Sequence, residues 1–149
     1  MATQLGDFVA GEILGADDLN DIGTWSSFTV TTTGSAAMTF TGAKCVLNEL
    51  CIFQIIGTAT GAATPPTTVT VPETMKASNY AVGLQVACYD DSANVWYYGS
   101  CTPSTVNIIR PRVFAATGTY VNSTGVNSSV PFTWANDDII VISGSYRMS

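Results

Sequence analysis

The chain predicts an all-β protein, a single β-sandwich of jelly-roll type preceded by an N-terminal arm with one short helix. Three observations lead there. From Trp25 onward apolar residues alternate with threonine and other polar residues at the two-residue period of a half-buried strand. Clusters of Gly, Pro, Asn and Ser cut that pattern into strand-sized pieces. Only 11% of the 149 residues are charged while 46% are apolar, and the acidity sits at one end. The arm takes residues 1–25 and the β domain residues 26–149.

The arm reads MATQLGDFVAGEILGADDLNDIGTW, with Asp7, Glu12, Asp17, Asp18 and Asp21 and no Lys or Arg. Its helical seed runs from Ala16 to Ile22. Leu19 and Ile22 stand three apart on one face, and Gly23 is suited to end the helix. Asp17 and Asp18 fall in the first turn, where negative charge complements the exposed N–H groups. A helix this short is unstable alone in water. The arm is therefore expected to dock on a partner through Phe8, Ile13, Leu14, Leu19 and Ile22.

The strands follow in order. Phe28-Thr-Val30, Met38-Thr-Phe40 and Val69-Thr-Val71 alternate as half-buried strands do. Tyr80 to Cys88 is the longest alternation. Asp90-Asp91-Ser92-Ala93-Asn94 then turns the chain into Val95–Cys101 as a hairpin. Cys51–Ile56 and Asp138–Ser143 are apolar on consecutive positions, which predicts central strands covered on both faces. Gly57–Pro66 and Val121–Ser129 read as loops, and Pro72 closes a strand.

Composition excludes several classes. Five of the eleven carboxylates lie in the arm, so the rest of the chain carries six acids against five bases. A net charge of −6 with no basic cluster beyond Arg110-Pro-Arg112 argues against a nucleic-acid partner. No apolar run is long enough for a transmembrane span, and the start lacks the basic residues of a signal peptide. A body so poor in charge is expected to be covered by neighbouring subunits.

Catalytic chemistry has little to work with. Histidine is absent, so neither Ser nor Cys has an activating base. Cys45, Cys51, Cys88 and Cys101 form no Cys-x-x-Cys pair and read as small buried hydrophobes, with a Cys45–Cys51 bridge across a hairpin conceivable. Asp90-Asp91 and Asp137-Asp138 sit at strand junctions and suit turn capping better than calcium. No catalytic residue, metal ligand or cofactor site is assigned. Trp96-Tyr97-Tyr98 offers the best ligand contact, with Trp96 and Tyr97 as candidates for a host-surface glycan. Against that, strand alternation favours Trp96 and Tyr98 in the core with Tyr97 on the opposite face. Arg110 and Arg112 are read as one face of an edge strand, with the proline between them discouraging aggregation.

Phe8-Val-Ala-Gly-Glu-Ile-Leu-Gly-Ala-Asp-Asp-Leu-Asn20, followed by Trp25 and the Thr-rich Phe28–Thr33, resembles the N-terminal signature of tailed-bacteriophage virion proteins. Gly42–Phe53 is similar to that family's first hairpin, Thr68–Pro72 to its strand ending in proline, and Phe132–Tyr146 to its closing strand pair. Departures are Gly15 for the usual threonine before the helix, Ala43 and Glu49 in the hairpin, and Asn136 for the closing glycine. The resemblance implies a non-enzymatic, trimeric virion component assembled in the bacterial host cytoplasm. Its partners would be capsid, portal, neck or tail proteins, as a fibre or tail part or as a head fibre or capsid decoration. A carbohydrate- or receptor-binding module is the rival expectation.

Overall fold

A computed structural model describes residues 23–77, 83–117 and 120–149. The predicted arm helix and its docking residues Phe8, Ile13, Leu14, Leu19 and Ile22 lie outside the described residues.

The described residues are all β, in one antiparallel sheet. Its strands are β1 (Ser26–Phe28), β2 (Thr32–Thr33), β3 (Ala36–Leu47), β4 (Leu50–Thr64), β5 (Thr68–Thr70), β6 (Gln85–Asp90), β7 (Val95–Pro103), β8 (Ile108–Thr117), β9 (Tyr120–Gly125) and β10 (Ile139–Arg147). They lie in the order β1-β3-β4-β10-β6-β7-β8-β5-β2, with β9 also paired to β8. The two ends of this order are one stretch of chain. Phe28 pairs with Gly42 of β3, whereas Thr32 pairs with Val69 of β5. Between them the Thr31 carbonyl accepts from the Thr70 N–H at 2.9 Å. Residues 26–33 thus pass from one end of the sheet to the other, and the sheet curls around a single core.

Alternation decides what fills that core. Cys51, Phe53 and Ile55 of β4, Val86 and Cys88 of β6, and Ile140 and Ile142 of β10 point inward and are almost fully buried. Each such aliphatic or aromatic side chain contributes about 1.5–3 kcal/mol on leaving water. Trp134 closes one side, its indole N–H donating to the Val130 carbonyl at 3.4 Å. The predicted hairpin is present, with Cys88 opposite Tyr97 and Asp90 opposite Val95.

Several expectations are corrected. Gly57–Thr64 is strand, not loop, as the second half of the long β4. Its glycine serves close approach: a Cβ on Gly57 would lie 2.5 Å from the Phe40 ring and 2.8 Å from Ile140. Residues 121–125 are also strand, because β8 supplies a partner ladder that overrides their poor β propensity. Arg110 and Arg112 lie on an internal strand, β8, which pairs β7 on one side and β5 then β9 on the other. Pro111 falls at the change of partner from β5 to β9, where its missing N–H is tolerated.

The turns shift by one residue. In the β3–β4 turn and the turn before β10 the left-handed positions are Asn48 (φ 54°) and Asp137 (φ 69°), each next to a departure from the resembled pattern, Glu49 and Asn136. Register also separates the paired cysteines. Cys45 stands opposite Ile52 while Cys51 stands opposite Val46, so the two side chains project to opposite faces and all four thiols are free.

Candidate functional site

β4 and β10 are central strands, but the described residues cover only one of their faces. Ile55, Ile140 and Ile142 are buried, whereas Ile56 remains 37% exposed and Val141 half-buried. Among the described residues the predicted two-sided burial is therefore only half supplied.

The outer face is ordered into cross-strand rows. In one row Ile56 stands opposite Val141, Val141 opposite Ala87, and Ala87 opposite Tyr98. Phe114 of β8 lines the same open groove as Tyr98, Val141 and Ala87, a space of about 460 Å³. A second row runs Thr58, Ile139, Tyr89, Trp96. A third is polar: Gln54, Ser143, Gln85, Ser100, Arg112. Arg112 is held down by hydrogen bonds to the Ser123 hydroxyl at 3.1 Å and its carbonyl at 2.6 Å.

The aromatic residues of this face touch one another. The rings of Tyr89 and Trp96 are 4.9 Å apart, and those of Trp96 and Tyr98 are 6.4 Å apart and within 20° of parallel. The Tyr89 hydroxyl donates to Asn94 Oδ1 at 2.9 Å, which anchors one end of the cluster to the turn. Trp96, Tyr98, Phe114 and Val121 are 44%, 63%, 53% and 69% exposed. The sequence expectation had the faces reversed: Trp96 and Tyr98 point out. Tyr97 points toward the core, against Phe132 at 5.4 Å, which in turn packs on Trp134 at 4.7 Å. Of the two candidate glycan contacts, Trp96 lies on the open face and Tyr97 does not. Tyr98, Phe114, Ile56 and Val121 were missed, although the consecutive apolar runs of β4 and β10 already signalled an outer face in need of cover.

Trp25 borders the same face, beside Ile52, Gln54, Gln85, Ser143 and Ser145. The described chain therefore begins over the outer face, close to the β3–β4 hairpin, where Gly23 approaches Cys45 and Leu47.

The acidic pairs act in turns. Asp90 Oδ1 accepts from the Ser92 hydroxyl at 2.8 Å and the Ala93 N–H at 3.0 Å. Asp138 is 1% exposed, and its carboxylate accepts from the Ala135 N–H at 2.6 Å and from the Asp91 N–H at 2.9 Å. One buried carboxylate thus joins the turn before β10 to the β6–β7 turn. Among the described residues no three His, Cys, Asp or Glu side chains converge as a metal cluster. Burial pushes the Cys88 and Cys101 thiols up to about 12, which makes them poor nucleophiles at neutral pH. No helix among the described residues is long and apolar enough to cross a membrane.

Compared with known proteins, the chain matches no family model, no curated protein and no solved structure.

Proposed function

We propose that this protein is a non-enzymatic structural component of a bacteriophage virion. In this reading residues 1–25 anchor it to other virion proteins, and a jelly-roll-type β-sandwich over residues 26–149 is displayed on the particle surface. It would serve as a fibre or tail component or as a head fibre or capsid decoration, assembled as a homotrimer. The observation that carries the reading is the outer face. Two of its rows present exposed apolar and aromatic side chains in register, which suits contact with another surface more than chemistry on a substrate. The arm phrase Phe8-Val-Ala-Gly-Glu-Ile-Leu followed by Ala16-Asp-Asp-Leu-Asn20 supports the virion assignment through its resemblance.

Deletion of residues 1–22 tests it: the truncated protein is expected to fold yet be lost from purified particles. Normal incorporation of the truncation would sink the anchor.

A second reading, a carbohydrate-binding module, is favoured by the exposed rings of Trp96 and Tyr98 beside Tyr89. It requires measurable glycan binding that disappears on Trp96→Ala with the fold intact.

A further inference from the structure

We infer that the outer face of β4, β10, β6, β7 and β8 is the surface on which a second copy of this chain packs. The inference deepens the homo-oligomeric part of the reading above and rests on it.

The first ground is the sequence pattern of the two central strands. Ile139–Ile142 is apolar at every position and Cys51–Ile56 at every position but Gln54, close to the pattern of strands covered on both faces. Curling the sheet covers the inner face alone, so Ile56, Ile139 and Val141 form the floor of a surface with nothing over it among the described residues.

The second ground is area. Ile56, Trp96, Tyr98, Phe114 and Val121 leave 37%, 44%, 63%, 53% and 69% of their surfaces exposed on this one face. With roughly 150–250 Å² available per aromatic side chain, this amounts to on the order of 500 Å² of apolar surface. A stable interface buries about 800 Å² per partner, with an apolar core of about two-thirds. The patch has the size of such a core.

The third ground is charge. The rows through Tyr98 and Trp96 contain no carboxylate, amine or guanidinium, and the one base in the third row, Arg112, is bonded to Ser123. Outside the arm the chain carries six acids against five bases. A second copy can therefore meet the two apolar rows without like-charge repulsion. A strongly charged partner would find only Arg112 and the exposed Arg110, at the β8 edge of the face, to pair with.

The middle row, Ile56-Val141-Ala87-Tyr98, carries no amide or carboxylate, and the groups that could meet a sugar's hydroxyls, Gln54, Gln85, Ser100 and Ser143, belong to the neighbouring row.

The test uses the full chain and a triple variant, Tyr98→Thr, Phe114→Thr and Val121→Thr, in which threonine keeps β propensity at exposed positions. Sedimentation velocity at micromolar concentration is expected to show an oligomer for the parent and a monomer for the variant, with far-ultraviolet circular dichroism unchanged. A monomeric parent overturns both the oligomeric reading and this inference. An oligomeric parent with an equally oligomeric variant overturns the surface assignment alone.

Hydroxyl-radical footprinting of the unmodified protein removes any dependence on the variant folding. Trp96, Tyr98 and Phe114 are expected to lose reactivity on assembly while Val106, exposed in the β7–β8 loop, does not. Unchanged reactivity at Tyr98 overturns the assignment. So does a monomeric parent that binds oligosaccharides through Trp96 and Tyr98, which would make this face a glycan platform.

Discussion

The phenol of Tyr146 closes on the backbone of Glu73 from both sides, accepting from its N–H at 2.9 Å and donating to its carbonyl at 2.8 Å. Tyr146 is 2% exposed and lies edge-on to Phe53, with ring centroids 5.7 Å apart. The Glu73 carboxylate reaches back to Lys44 of β3. One side chain thus ties the last strand to the segment after β5, whose own ion pair ties it to β3.

Removing that hydroxyl is expected to be costly. Tyr146→Phe keeps the packing against Phe53 but leaves the part-buried Glu73 N–H and carbonyl without their partner. Unsatisfied buried polar groups cost about 1–3 kcal/mol. Urea unfolding should show a loss in that range, and a change below about 0.5 kcal/mol, the level of an ordinary surface substitution, would mean that water replaces the phenol.

Glycines on the two sides of β8 predict opposite outcomes. A Cβ on Gly99 would sit 1.9 Å from the Arg112 carbonyl oxygen and 2.6 Å from the Val113 Cα. Both are backbone atoms of the paired strand β8 and cannot swing away. Gly99→Ala should therefore cost about 3 kcal/mol or more, at the upper end of overpacking penalties. A Cβ on Gly125, which pairs with Arg112 on the other side of β8, meets nothing within 4 Å. Gly125→Ala should leave stability within about 0.5 kcal/mol. Thermal unfolding of the two variants decides it, and equal melting temperatures would refute the close-approach argument.

The thiols predict an alkaline limit to stability. Burial raises Cys88 and Cys101 from the ordinary 9.0 to about 12, so the folded state holds these protons more tightly than the unfolded chain. The associated stability is complete below the unfolded value and is lost as pH rises from 9.0 toward about 12. Burial also raises Tyr146, which acts in the same direction above the normal phenol range. The urea midpoint should hold steady at neutral pH and fall once the unfolded thiols ionise. Cys88→Ala with Cys101→Ala should soften that fall. A thiol-reactive chromophore should label Cys88 and Cys101 only after denaturation, and immediate labelling of the native protein would contradict their burial.

Much of the β body was legible because its signals are local. The alternation over Gln85–Cys88 and the polar Asp90–Asn94 turn gave the β6–β7 hairpin, since period two and turn chemistry act over neighbouring residues. The turn role of Asp90 was legible for the same reason. Gly57–Thr64 and Val121–Gly125 were misread because small and polar residues carry weak propensity. Their strands exist through pairing with neighbouring strands, Phe40 and Thr39 opposite Gly57 and Thr58 for one and Val113 and Phe114 opposite Thr124 and Ser123 for the other.

The site was half legible. The aromatic run at 96–98 and the consecutive apolar residues of β4 and β10 announced a surface needing cover. Alternation also separates Tyr97 from Trp96 and Tyr98, but it does not say which set faces in. That follows from Cys88, opposite Tyr97, being packed into the core. Phe114 and Val121 carry no local sign of belonging with Trp96, since β8 and β9 join the face only through sheet order.

By itself the sequence determined the all-β class of the body, the acidity of its first residues and the main hairpin, because composition and two-residue periodicity are properties of neighbours. Only the tertiary structure decided that the Thr-rich segment 26–33 bridges both ends of the sheet, that Asp138 links two turns, and that one face with two apolar rows is left open among the described residues. Those facts depend on which distant strands pair and on the direction in which the sheet curls. A two-residue repeat marks both faces of a strand alike, and only the curl makes one of them the inside.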